Sequence, residues 1–239
     1  MFIQARDIQK AYKKKKVVKS IDLDIRAKEI LAVIGPNGAG KSTTLEMLVG
    51  LRQADAGEIS YWHHRYKERM GVQLQATAFF SGLTASENVK LFGAFYKKVL
   101  TNKQVENILA MCGLFDAKNV EAVNLSGGQQ KKLAIAIAVI HNPELLFLDE
   151  PTAALDPHSR QEIHELIRQL YLNGTTIVFT SHDMDEVDKL ATRVVMIDDG
   201  RIIAEGKPED LCKMHQVSRL EELYLKLTTG GEKHVFNHL

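Results

Sequence analysis

Residues 29–42 read EILAVIGPNGAGKS: an acid, five apolar residues, a turn built on three glycines, and a lysine and serine ahead of a helix-prone stretch. An apolar run of strand length that enters a glycine-rich turn and leaves it as a helix is a strand–loop–helix unit. Gly35-Pro36-Asn37-Gly38-Ala39-Gly40-Lys41-Ser42 fits the spacing GxxxxGK[ST] in the context that spacing needs. Glycine admits positive φ and close approach, so the backbone N–H groups of such a turn can wrap phosphate oxygens. Residues 35–42, with Thr43 behind them, are therefore expected to bind the phosphates of a nucleotide. Lys41 would reach the terminal ones, and the Ser42 hydroxyl would ligate Mg²⁺.

Outward from this unit, Phe2–Gln9, Val18–Ile25, Gly57–Trp62 and Met70–Leu74 have strand-like content. Thr84 with Glu87, and Thr101 with Gln104, have the spacing of capping boxes, so helices are expected to open at both threonines. From about residue 75 to 140 the pattern is helical. Beyond it the apolar runs Leu145–Asp149, Thr175–Thr180 and Val194–Ile197 alternate with helical segments at Ser159–Tyr171 and Asp183–Leu190. That order predicts an α/β fold with a mostly parallel, doubly wound sheet, a small antiparallel region, a helical insertion, and a ligand at the carboxyl ends of the strands.

Length and composition agree with one large domain. The chain has 239 residues, 45% hydrophobic and 26% charged, with a formal net charge of +1; these are globular values. Near-neutral charge argues against wholesale binding to a nucleic-acid backbone. Cys112 and Cys212 stand alone without metal-ligand spacing, so a disulfide framework or zinc site is not expected. His63 and His64 are neighbours rather than i,i+4 partners, which disfavours a metal site there. MFIQARDIQK lacks the apolar core of a secretion signal, and no stretch approaches the roughly 18 apolar residues that span a bilayer. Work at a membrane would proceed from the cytoplasm through a partner.

Two further motifs carry chemistry. Leu145-Leu146-Phe147-Leu148-Asp149-Glu150 is a buried strand ending in two acids, and adjacent carboxylates repel unless something holds them. Asp149 in a Mg²⁺ shell and Glu150 polarising an attacking water would supply the reason. A guanine-specific Asn-Lys-x-Asp loop is missing, since Asn102-Lys103-Gln104-Val105 lacks the aspartate, and a GTPase is disfavoured. Ser126 and Gln129, in Leu125-Ser126-Gly127-Gly128-Gln129, again have capping-box spacing. The exposed N–H groups of that helix start would suit an anion; taken alone, the stretch is equally a capped helix with no ligand.

In combination these motifs resemble those of an ABC-transporter ATP-binding subunit, over nearly the whole chain from about residue 1 to 229. GPNGAGKS resembles the Walker A loop, LSGGQ the family signature, LLFLDE the Walker B strand, and Ala153-Ala154-Leu155-Asp156 the D-loop. The resemblance implies a P-loop NTPase core of RecA type over about 1–75 and 141–215, a helical subdomain over about 76–140, a C-terminal helix over about 216–228 and a flexible tail over 230–239. It implies that Gln75 senses Mg²⁺ and links core to insertion, with Gln73 a rival for that role. His182, in Thr180-Ser181-His182-Asp183, would contact the γ-phosphate, although a locally bonded helix-start histidine has the same pattern. Tyr12 would stack on adenine, or merely sit on a hairpin beside Lys13–Lys16, itself a solvated turn or a contact for anionic lipid.

In the family, ATP held by one chain's phosphate loop is completed by the signature of another. The resemblance thus implies a homodimer or heterodimer with two nucleotides sandwiched between chains. The signature Ser126, Gly127, Gly128 and Gln129 would act in trans, with Ser126 and Gly128 touching the partner's γ-phosphate, and Asp156 would couple the sites. The remaining expectations are Mg²⁺–ATP hydrolysis with Glu150 as base and Lys41 and His182 stabilising charge, and membrane permease subunits reached through Gln75 and a groove at Phe79 and Phe80. Those phenylalanines could equally be core. The segment 220–228 is similar to the C-terminal helix of the daunorubicin-resistance-like multidrug and antibiotic exporters, which implies export; Leu220, Leu223, Tyr224 and Leu227 on one face would also make a simple amphipathic cap. Three departures stand out: a short stretch between Gly57 and Gln75, which implies a trimmed antiparallel region, and Lys132 and Ile137 where the family more often has arginine. The alternative is a soluble ABC ATPase acting on ribosomes or DNA; a single cassette has neither the tandem repeat nor the coiled-coil insertion usual there.

Overall fold

The apolar run ahead of the glycine turn forms a strand, Ile30–Ile34, with all five side chains buried. In chain order it is β3, after β1 (Ile3–Tyr12) and β2 (Lys15–Ile25). The computed structural model describes residues 1–13, 15–75 and 79–229. In it β3 lies between β7 (Thr176–Ser181) and β8 (Arg193–Asp198), parallel to both. β6 (Leu145–Asp149) continues the parallel array beside β7, and β5 (Met70–Gln73) beside β6. On the other side β9 (Arg201–Gly206) pairs antiparallel with β8. β1 pairs antiparallel with β2 and with β4 (Ala56–Tyr61), and β2 meets β9 at Ser20. The sheet order is β4-β1-β2-β9-β8-β3-β7-β6-β5. This is the expected P-loop NTPase arrangement, with a three-stranded antiparallel region on one flank.

The parallel strands are apolar throughout because both faces are covered. Ala32, Ile34, Leu146, Leu148, Ile177, Phe179, Val194 and Met196 point into one core with the helices. The alternate residues Leu31, Val33, Leu145, Phe147, Val178 and Val195 join a second core with β1, β2 and the helix α1 (Lys41–Leu48). Strand order reverses around β3, so a crevice opens at the carboxyl ends of the strands. The glycine turn, Gln75, Glu150 and His182 all follow directly on those ends.

The insertion holds α2 (Ala85–Phe95), α3 (Asn102–Met111) and α4 (Gly127–Val139). All three expected capping boxes are present, at Thr84/Glu87, Thr101/Gln104 and Ser126/Gln129, with both reciprocal bonds made. α4 is buried from Lys132 to Val139 and packs on β5 and β6 as well as on α2. After β6 come α5 (Pro157–Leu172), α6 (Met184–Leu190), α7 (Pro208–His215) and α8 (Leu220–Thr229).

β9 and α7 are not among the elements expected from the sequence. Asp199 and Gly200, both at positive φ, turn the chain from β8 into β9, and Pro208 opens α7 at its first turn. The C-terminal helix begins at Leu220 rather than near 216, because Gln216 takes a left-handed conformation (φ 54°) that ends α7. Leu220 and Leu223 are fully buried, with Tyr224 and Leu227 packed beside them. Residues 230–239, expected from the sequence to form a flexible tail, and Lys14 of the lysine run lie outside the described residues. Among the described residues no helix is long and apolar enough to cross a membrane, and none of their His, Cys, Asp and Glu side chains form a group of three or more able to hold a metal.

Candidate functional site: a phosphate cleft at the strand ends

The turn after β3 needs its glycines. Gly38 and Gly40 have φ of 82° and 104°, where L side chains are strained. A Cβ on Gly40 would also stand 2.7 Å from the Val17 carbonyl oxygen. Gly40 is the N-cap of α1 and provides no side-chain cap. The first N–H groups of that helix have no side-chain cap and lie at the positive end of its dipole, where residues 40–43 line the cleft, an arrangement that suits an anion.

Lys41 is buried and its ammonium donates to the carbonyl oxygens of Gly35 (2.9 Å) and Pro36 (3.1 Å). Two of its three protons are so used, leaving one for an anion. Burial lowers its pKa, opposed by attraction to Glu150 and then Asp149.

The two acids at the end of β6 are held apart by neighbours. The Ser42 hydroxyl donates to Asp149 Oδ1 (3.2 Å), and so does the Thr180 hydroxyl (2.5 Å). Thr180 in turn accepts from the Glu150 N–H (2.8 Å), so one β7 side chain fixes both positions. Glu150 itself has a left-handed backbone (φ 48°), a strained placement of the kind concentrated at functional sites. Its carboxylate lies 3.3 Å from His182 Nδ1, and its carbonyl accepts from Lys131 of α4 at 3.3 Å. Thr180 and Lys131 escaped the sequence reading because neither belongs to a spacing with a chemical meaning of its own.

A cleft of about 330 Å³ is lined by Val17, Asn37, Gly38, Gly40, Lys41, Ser42, Thr43, Gln75 and Glu150. Gln75 is exposed and borders this cleft. Gln73 is buried, donates to the Leu74 carbonyl and lines a separate, mostly apolar cavity of about 310 Å³ with Met70, Val72, Tyr96 and Ile137. Ser42 and Asp149 converge as oxygen donors suited to a hard divalent cation, so the residues present fit Mg²⁺ with a nucleotide.

Other predicted positions stand apart from the cleft. Tyr12 ends β1 with the Arg52 guanidinium 5.1 Å above its ring. Ser126, Gly127, Gly128 and Gln129 start α4, and a Cβ on Gly128 would meet Ser159 Oγ of α5 at 2.6 Å. Asp156 caps α5, accepting from the His158 and Ser159 N–H groups (both 3.0 Å), and the Ser159 hydroxyl and these N–H groups lower its pKa. Lys132 reaches Glu162 of α5 at 2.8 Å, and Ile137 is buried. Phe79 packs against the core while Phe80 is exposed, its ring 6.0 Å from Phe92. His63 and His64 stack on each other at 4.3 Å.

The profile of the ABC transporter family matches residues 18–153. The chain is 38% identical to the linearmycin resistance ATP-binding protein LnrL of Bacillus subtilis (strain 168), over 98% of this chain and 77% of that protein. It is 36% identical to the daunorubicin/doxorubicin resistance ATP-binding protein DrrA of Streptomyces peucetius, over 87% of this chain and 66% of that protein. Among solved structures, a dimeric ATP-binding cassette in a post-hydrolysis state with ADP and Pi superposes with a TM-score of 0.77 at 28% identity, covering 86% of this chain and 98% of that one.

Proposed function

The chain belongs to the ABC transporter family as an ATP-binding, ATP-hydrolysing cassette, and from that premise we propose how its residues share the work. ATP lies with its phosphates in the cleft of residues 35–43, held by the N–H groups of the loop and of the α1 terminus and by Lys41. Tyr12 takes the adenine. Ser42, Asp149 and Gln75 hold Mg²⁺, which supplies charge neutralisation at the phosphates. Glu150 accepts a proton from the attacking water, and His182 donates to the γ-phosphate while its other nitrogen stays near Glu150. Phosphoryl transfer depends mainly on positioning and on stabilising charge, and these groups supply both.

The signature residues Ser126, Gly127, Gly128 and Gln129 do not line the cleft of their own chain. In this reading they close the cleft of a second cassette, identical or not, while Asp156 passes the state of one site to the other. Nucleotide bridging two chains then drives closure, and hydrolysis reopens them. One domain over 1–229 carries the whole apparatus, with core, helical subdomain and C-terminal helix as parts.

The motion would reach membrane permease subunits through Gln75 and the neighbouring surface, with Phe80 exposed on it, and the cassette would sit peripherally on the cytoplasmic face. The direction is export. Its support is the similarity to two cassettes named for resistance to linearmycin and to daunorubicin/doxorubicin, since resistance is most simply achieved by moving the compound out.

The observation that carries the reading is the convergence of Lys41, Ser42, Glu150 and Gln75 on one cleft at the strand ends, with Asp149 bonded to Ser42. Glu150→Gln tests it: ATP should still bind while turnover falls roughly 10²-fold or more. Wild-type turnover in that variant would sink the assignment. Copurification with a polytopic membrane protein tests the transport role.

A further inference from the structure

Glu186 of α6 is 2% exposed, and its carboxylate is bonded from three separate elements. Oε1 accepts from the Thr152 hydroxyl at 2.7 Å and lies 3.1 Å from His164 Nε2 of α5. Oε2 accepts from the Ser181 hydroxyl at 2.7 Å. Thr152 stands two residues after Glu150, on the turn that leads to Asp156, and Ser181 directly precedes His182. His164, on the helix that Asp156 caps, is itself 2% exposed. A second tie runs between the same segments nearer the surface, from Arg160 of α5 to Asp183 at 2.7 Å.

A buried polar cluster of this kind is a weak source of stability, because apolar residues of similar volume often serve as well or better; its best-attested use is to fix a register. Here the register lies between the loop bearing Glu150 and the loop bearing His182. The two loops also meet at their tips, where His182 Nδ1 is 3.3 Å from Glu150 Oε1. Tip contact and buried carboxylate together make a closed ring through Glu150, Thr152, Glu186, Ser181 and His182.

We propose that Glu186 is a positioning residue that locks the Glu150–Asp156 turn to the His182 loop, so that a shift of Asp156 in the dimer is delivered to His182 within the same chain. The inference rests on the roles proposed above for Glu150, His182 and Asp156. It predicts that Thr152 and Ser181 act in series through Glu186.

The test is a mutant cycle on ATP hydrolysis by the purified chain, with melting midpoints recorded in parallel. Thr152→Val and Ser181→Ala should each lower kcat about tenfold while leaving KM for ATP within about twofold. The double variant should be no slower than the slower single, since either cut opens the ring. Thr152→Ser should restore kcat, which tests the hydroxyl rather than the packing. The proposal is overturned if kcat is unchanged in the singles, if the two effects multiply, or if Thr152→Ser is as slow as Thr152→Val. Glu150→Gln measured alongside separates the cases: loss of turnover there upholds the assignment whatever the cycle returns.

Discussion

Lys41 is a charge placed where its folding cost and its function oppose each other. Burial lowers its pKa more than Glu150 and Asp149 raise it, so the fold holds the ammonium at a net cost. The sign follows: between the lowered value and the ordinary 10.5 the unfolded chain binds more protons, so stability rises with pH across that window and the penalty is full below it. Lys41→Met should therefore hold or raise the melting midpoint of the nucleotide-free protein at neutral pH while abolishing the rise that ATP produces. A calorimetric scan with and without ATP reads both. A fall of many degrees without nucleotide would show that the bonds to Gly35 and Pro36 outweigh the desolvation. The neighbouring Thr180 shows what sequence motifs miss, because its importance comes from the pairing of β7 with β6, which brings its hydroxyl to Asp149 and the Glu150 N–H.

At the scale of elements, the start of α4 is pressed against the first turn of α5. A Cβ on Gly128 would stand 2.6 Å from Ser159 Oγ and 2.8 Å from Ser159 Cβ, whereas one on Gly127 meets nothing nearer than Leu155 Cδ2 at 3.9 Å. Gly128→Ala should cost about 1–3 kcal/mol by overpacking, and Gly127→Ala should stay within about 0.5 kcal/mol of wild type, as read by denaturant titration. Equal costs would mean that the α4–α5 contact yields easily. The helix starts were legible from sequence because a capping box is local chemistry: Thr84, Thr101 and Ser126 each find their acid or amide three residues on. β9 was not read, although Asp199-Gly200 between apolar runs is a hairpin signal, and the break at Gln216 needed a backbone angle that sequence does not display. Gln73 and Gln75 have the same parity and would share a face if β5 ran on, but the strand stops at Gln73. Gln73 ends β5 facing inward, and Gln75 emerges beside the cleft.

For the whole molecule, the sheet gathers four loops at one end, and the chain still presents only half of what the proposed reaction requires. The cleft has a floor of loop N–H groups, Lys41 and Glu150, while the signature helix start faces elsewhere on the same chain. The fold was legible because glycine turn, helical insertion and acidic strand end follow one another in an order that predicts a mostly parallel sheet. The pairing of chains rests on that incompleteness and on the resemblance to cassettes. Light scattering on the Glu150→Gln chain during gel filtration, with and without Mg²⁺–ATP, tests it most directly. The account predicts the mass of one chain without nucleotide and of two chains with it, the larger species vanishing when Ser126→Phe is added. A single-chain mass at saturating ATP, or a dimer indifferent to both ATP and Ser126→Phe, would contradict it.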